Sequence, residues 1–323
     1  MSRESILVTS IGSIAGETVI SRLKDLGYRV VGTDVFAKNW IYNSELTEVF
    51  YQVPWTSNKE EYRKKIHEIC NHEGILYIVP LTDVDIDFFQ EERDWAEKEN
   101  IHLCISPKYT LNVFRNKKET QDLIGNISPQ IEAIPTFFLE SAKNIKWEFP
   151  YVCKPYNGRS SQNLHIIKNQ IEWEAFISCV EKDIYIVEPY IYGEIIVADV
   201  IRQPDYEECE VVLRKELIRT PHGCGLSVEI FRDADIEQSC RLIAKKMGIV
   251  GCVNFEMIKS SEGKLYFMEC NPRFSAGVSF SVLAGYDVVA NHMRCFQKKH
   301  IVFGANAGNI VMARRYIEMV TGK

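Results

Sequence analysis

The chain has 323 residues, 46% of them hydrophobic, which is enough for two or three compact units rather than one small core. Its 38 basic and 44 acidic residues leave a net charge of −6, so there is no electrostatic footprint for nucleic acid or an anionic membrane. Its ten cysteines stand singly without a C-x-x-C pair, and no apolar run approaches the roughly 18 residues of a membrane span, so the expectation is a protein of the reducing cytoplasm.

Ser5–Thr9 is a short β-rich run, residues 16–26 have helical spacing, and 28–35 are β-rich again, which makes a βαβ unit. A helix over 60–71, a buried strand over 75–79, a charged helix over 85–99 and a strand over 101–105 follow. Parallel sheet wrapped by helices is the expected form of residues 1–110. After Pro107 the rhythm changes to a helix over 116–124, then β-rich segments at 151–154 and 164–167. Strands over 184–189, 195–202, 210–218, 251–259 and 264–270, with a helix over 235–247, read as an antiparallel sheet. The fold class is therefore an α/β unit followed by an α+β unit, with no internal repeat.

Residues 253–257 and 265–270 form a hairpin around the turn 260–263, which puts Glu256 on one face with Glu269 and Asn271. Magnesium takes hard oxygen donors, so two carboxylates and an amide side by side suit it. Arg273, two residues on, can hold a phosphate oxygen in a fork of donors. Alone, Glu269 and Asn271 are better explained as solvated residues on the outside of an edge hairpin, the usual fate of isolated charges in strands. Upstream features change the balance. Lys154 ends a β run and is followed by a loop, Gly158, Arg159, Ser160 and Ser161, whose small residues let backbone approach phosphate and whose arginine adds a positive charge. Glu188 ends a strand before Tyr190, Ile191 and Gly193, and Lys117 opens a helix.

The order Asn116-Lys117, Lys154-Pro155 with its loop, Glu188 with Gly193, Asn254 with Glu256, and Glu269-Cys270-Asn271-Pro272-Arg273 resembles the ATP-grasp superfamily over most of the chain. It is most similar to the carbamoyl-phosphate synthase large subunit and to small stand-alone ligases of that type. The resemblance implies a Rossmann-like pre-ATP-grasp domain at 1–110, then a small lobe at 111–190 and a large lobe at 191–323 that clamp ATP. It implies that Lys117, Lys154 and the loop from Gly158 to Ser161 meet the phosphates. Glu188 would accept from the adenine amino group, with Tyr190 and Ile191 forming the adenine slot. Glu256, Glu269 and Asn271 would hold Mg2+, two ions with Mn2+ as an alternative, and Arg273 would steady the transferred phosphoryl group. Two departures stand out. The position of the ribose carboxylate is Ile195, with Glu194 one place early and its substitution for that carboxylate left open by the sequence, and the phosphate loop reads Gly-Arg-Ser-Ser rather than a string of glycines.

The implied activity is an ADP-forming ligase that joins a small-molecule carboxylate to an amine through an acyl phosphate, in a monomer or homodimer. Arg214, Lys215 and Arg219 are candidates for the acceptor carboxylate or acyl phosphate, and His222 for a base. Thr82 and Asp83 could line a substrate cleft or simply cap a helix. The rival readings are carbamate-forming or kinase chemistry on the same fold, a silent nucleotide sensor, and an NAD(P)-binding oxidoreductase built on Gly12, Gly16 and Asp34. The glycines of that last group are spaced G-x-x-x-G and lack the third element of the dinucleotide fingerprint.

Overall fold

The computed structural model describes residues 3–322 except 129, 146, 160, 161, 222 and 305–307. The first unit runs β1 (Ser5–Thr9), α1 (Gly16–Asp25), β2 (Arg29–Asp34), β3 (Val49–Gln52), α2 (Lys59–Glu73), β4 (Ile75–Pro80), α3 (Asp83–Glu91), α4 (Arg93–Lys98) and β5 (His102–Leu103). Its sheet is parallel in the order β3-β2-β1-β4-β5. Every residue of β1 is buried, as a central parallel strand covered on both faces requires. The tight β1–α1 turn explains Gly16, where a Cβ would stand 2.0 Å from the Ile11 carbonyl oxygen. Asp34 is consumed locally, its two carboxylate oxygens accepting the Gly12 and Phe36 N–H groups at 2.8 and 3.2 Å.

Two helices, α5 (Lys108–Arg115) and α6 (Lys117–Ile124), connect to β6 (Ile131–Ala133), β7 (Phe137–Phe138), β8 (Tyr151–Pro155), β9 (His165–Ile167), α7 (Gln170–Cys179) and β10 (Tyr185–Pro189). Strands β7, β10, β8 and β9 make a four-stranded antiparallel sheet in that order. The rest is β11 (Gly193–Gln203), β12 (Glu208–Arg219), β13 (Gly225–Phe231), α8 (Ala234–Lys246), β14 (Gly251–Ser260), β15 (Leu265–Asn271), α9 (Val278–Leu283), α10 (Val288–Phe296) and β16 (Ile310–Ala313). These strands and β6 form a seven-stranded sheet, β16-β13-β12-β11-β14-β15-β6, antiparallel except that β6 runs parallel to β15.

Several elements differ from expectation. The charged helix over 85–99 is two helices, α3 and α4, separated at Glu92. The strand expected over 101–105 pairs only at His102–Leu103. Asn116 is an N-cap rather than a helical residue, its side chain accepting the Glu119 N–H, and a separate helix, α5, precedes it.

One hydrophobic core joins the first and last units: Val19, Ile20 and Leu23 of α1 pack with Phe280 of α9 and Val288, Val289 and Met293 of α10. The four-stranded sheet has its own small core, including Tyr151, Cys153, Phe176 and Val187. That sheet is thus a separately packed body facing a larger fused one.

Candidate active site

A cavity of about 340 Å³ lies between the four- and seven-stranded sheets. The β14–β15 hairpin supplies its acidic wall. The turn is one residue shorter than a four-residue loop: the Ser260 N–H meets the Lys264 carbonyl at 2.8 Å, with Lys259 opposite Leu265 and Met257 opposite Phe267. Continued unbroken, that register would put Glu256 opposite Met268 and send Glu269 to the other face. A bulge at Met268 takes up one residue, so Glu256 faces Glu269 and Asn254 faces Asn271.

Asn271 Nδ2 donates to Glu256 Oε1 at 3.4 Å, and Lys117 Nζ stands 3.7 Å from Glu269 Oε2. Burial pushes the Glu256 carboxyl above its usual range and the neighbouring Glu269 pushes it further, while Arg219 Nη2, 2.8 Å from Oε2, opposes both. Two mutually repelling carboxylates beside an amide oxygen are a donor set that fits a hard divalent cation.

The basic wall comes from three elements. Lys117, at the start of α6, donates to the Gly158 carbonyl at 2.6 Å; burial lowers its pKa and Glu269 counters that. Lys154 of β8 pairs with Glu188 of β10 at 2.7 Å, and Thr136 Oγ1 donates to the other Glu188 oxygen at 3.1 Å. Arg273 donates to Asp83 Oδ2 through Nε and Nη2 at 3.0 and 2.8 Å. Burial would raise the Asp83 carboxyl, but Arg273, Arg115 and Arg159 hold it below the ordinary carboxylate range.

Lys117, Lys154, Gly158, Arg159, Arg214, Arg219, Glu256, Glu269, Asn271 and Arg273 all line this one cavity. Glu188, Tyr190, Ile191 and Glu194 are not among the described lining residues. The Glu188 carboxylate is buried against Lys154 and Thr136 rather than open to a ligand. The Tyr190 N–H is taken by the Pro150 carbonyl at 3.0 Å. Glu194 is exposed and ion-paired with Lys215, one strand over. Ser160, Ser161 and His222 lie outside the described residues.

Arg214 of β12 lines the cavity with most of its donors committed. Nη1 donates to Asp199 at 2.8 Å, Nε to Glu216 at 3.2 Å and Nη2 to Ser275 Oγ at 2.9 Å. Ser281 Oγ also donates to Asp199 at 2.6 Å. Arg219 is more open, with Nη2 shared between Glu256 and the Gly223 carbonyl. Sequence reasoning passed over Asp199, Glu216 and Ser275. Two signals were available: a lone carboxylate inside the apolar run of β11, and a glutamate two residues from Arg214, hence on the same strand face.

A family model described as "ATP-grasp in the biosynthetic pathway with Ter operon" matches residues 181–314. No curated protein matches the chain in sequence. Among solved structures, Campylobacter jejuni biotin carboxylase in a β,γ-ATP complex superposes with a TM-score of 0.75 at 16% identity, over 93% of this chain and 72% of that one. Staphylococcus aureus N5-carboxyaminoimidazole synthetase complexed with ADP gives 0.76 at 14%, over 96% and 81%. A Bacillus licheniformis L-amino acid ligase gives 0.68 at 15%, over 92% and 75%.

Proposed function

We propose that the chain is an ATP-grasp enzyme, an ADP-forming ligase that joins a small-molecule carboxylate to an amine; the match of residues 181–314 to an ATP-grasp family model and the shared fold support this reading. The observation that carries this reading is the meeting of two carboxylates and an amide, Glu256, Glu269 and Asn271, with Lys117, Lys154 and Arg273 across one cavity between two sheets.

A substrate carboxylate oxygen attacks the γ-phosphorus of ATP, the bond to the β–γ bridging oxygen breaks, and ADP leaves. The amine nitrogen then attacks the acyl carbon, loses a proton and expels phosphate, leaving an amide. Lys117 and Lys154 would neutralise polyphosphate charge, and Arg273, held by Asp83, Asn271 Oδ1 and the Phe274 carbonyl, keeps one Nη1–H for the phosphoryl group in flight. A divalent cation held by Glu256, Glu269 and Asn271 would supply charge neutralisation at the phosphate oxygens. Under the same proposal Tyr190, Ile191 and the backbone of Glu188 border the adenine. Glu188 itself serves to hold Lys154. Glu194, ion-paired with Lys215 outside the cavity, would meet the ribose only on leaving that pair.

The test is an ADP-release screen of carboxylates crossed with amines, with Glu269→Ala as the control. Losing a cation ligand removes several kcal/mol of charge stabilisation, so turnover should fall about a hundredfold or more. Formation of AMP and pyrophosphate, or unchanged turnover in Glu269→Ala, would sink the reading.

A further inference from the structure

Helix α3 belongs to the first unit, yet it reaches the nucleotide side of the cavity through two carboxylates one turn apart on the same helix face, Asp83 and Asp87. Asp83 grips Arg273. Asp87 bridges two further arginines: Oδ1 accepts from Arg115 at 2.7 Å, and Oδ2 accepts from Arg159 Nη2 in the phosphate loop.

Arg159 lines the cavity, and its buried Nε has no hydrogen-bond partner among the described residues. A guanidinium carries five N–H donors, so the contact through Nη2 anchors the group and leaves the others for a ligand. The pair is too open to matter much for stability, since the two side chains are 34% and 37% exposed. A loop of glycines would have no side chain to orient. Here the loop carries a long cation whose rotamers must be ordered before it can serve, and Asp87 orders them in advance.

We propose that Asp87 is a positioning residue for the terminal phosphate of the bound nucleotide, acting through Arg159; the inference rests on the ligase reading above. The first unit would thereby tune the nucleotide site without touching the nucleotide.

The experiment titrates the full chain with the Mg2+ complexes of AMP-PNP and of ADP. The readout is the ratio of the two affinities in wild type, Asp87→Asn, Asp87→Glu, Arg159→Gln and the double variant Asp87→Asn/Arg159→Gln. Asp87→Asn should weaken the triphosphate analogue roughly three- to tenfold and leave ADP unchanged, the size expected for ordering one long side chain. Asp87→Glu should restore most of the ratio, and the double variant should be no worse than Arg159→Gln. Asp87→Ser takes the place of the amide variant if that fails to fold. An unchanged or increased ratio, equal weakening of both nucleotides, or additive effects in the double variant would overturn the role of Asp87. If wild type binds neither nucleotide, the ligase reading itself fails, and the inference with it.

Discussion

Replacing Arg214 by Met separates a structural arginine from a ligand-binding one. The guanidinium is almost wholly enclosed, with 3% of the side chain exposed, and it stands between Asp199 and Glu216, whose side chains are exposed by 1% and 3%. Met fills much of the volume but leaves the buried Asp199 and Glu216 carboxylates without their cation, while Ser275 Oγ loses one of its two donors and keeps the Gly277 N–H. Breaking a buried pair from one side costs about 3–5 kcal/mol. Tryptophan fluorescence is the wrong assay. Trp40, Trp55 and Trp95 lie in the first unit and Trp147 and Trp173 by the four-stranded sheet, so none reports on β11 or β12. Hydrogen exchange read on peptides spanning β11 and β12 is the direct measurement. Where exchange proceeds through opening of that sheet, protection should fall by about two to nearly four orders of magnitude, at roughly 1.4 kcal/mol per tenfold. Arg219→Met, at a half-open side chain, should leave protection in the same strands near wild type. Unchanged protection in Arg214→Met, with nucleotide or substrate binding alone impaired, would refute the assignment of Arg214 to the scaffold.

Three further outcomes are expected. Because Glu256 is raised by burial and by Glu269, its folded form binds a proton more tightly than the unfolded chain does; without a cation, stability should therefore fall as pH climbs from the ordinary glutamate range through the raised folded value. Mg2+ should reverse that loss, and Mn2+ binding followed by paramagnetic resonance should weaken on acidification at a higher pH than for an ordinary glutamate. His292 is pushed down to about 3 by burial, and its Nδ1 accepts the Cys252 N–H at 2.9 Å. The unfolded chain thus binds the extra proton, and stability falls from about pH 6.5 downward at close to 1.4 kcal/mol per unit, a slope that His292→Gln should remove in acid-unfolding curves. Gly277→Ala places a Cβ 2.7 Å from the Arg214 guanidinium at a residue whose φ of −90° alanine tolerates. The clash should cost about 1–3 kcal/mol and appear as local loss of protection around α9.

Much of the site was legible because its chemistry sits on local pattern. The βαβ start, the β14–β15 hairpin and the Glu-x-Asn-x-Arg run at its end each need only a few neighbouring residues to be read. The parity that brings Glu256 and Glu269 together came out right for a reason not visible locally, since the shorter turn and the Met268 bulge offset one another. Helices α9 and α10 were harder. Val288–Phe296 is buried on nearly every side, so its apolar residues show no clean stripe. Strand β6 has three residues, too few for alternation to register. Asp83, Asp199 and Glu216 matter through ion pairs to arginines that the fold brings to them. Only the pair Arg214 and Glu216 was close enough in the chain to be suspected.

The placement of β6 also governs how the two sheets can move. The chain leaves the seven-stranded sheet after Ala133 at its far edge and returns at Gly193, three strands inward, so residues 134–192 hang from two separated attachment points. Three strand spacings put those points about 14 Å apart laterally. Besides these two chain connections, the Lys117 N–H on the Tyr156 carbonyl at 2.9 Å and the Arg159–Asp87 pair tie the body to the rest across the cavity. The same spacing sets the terms for removing it, because a shortened chain lacking residues 134–192 would need a bridge of at least about five extended residues to keep β6 paired in place.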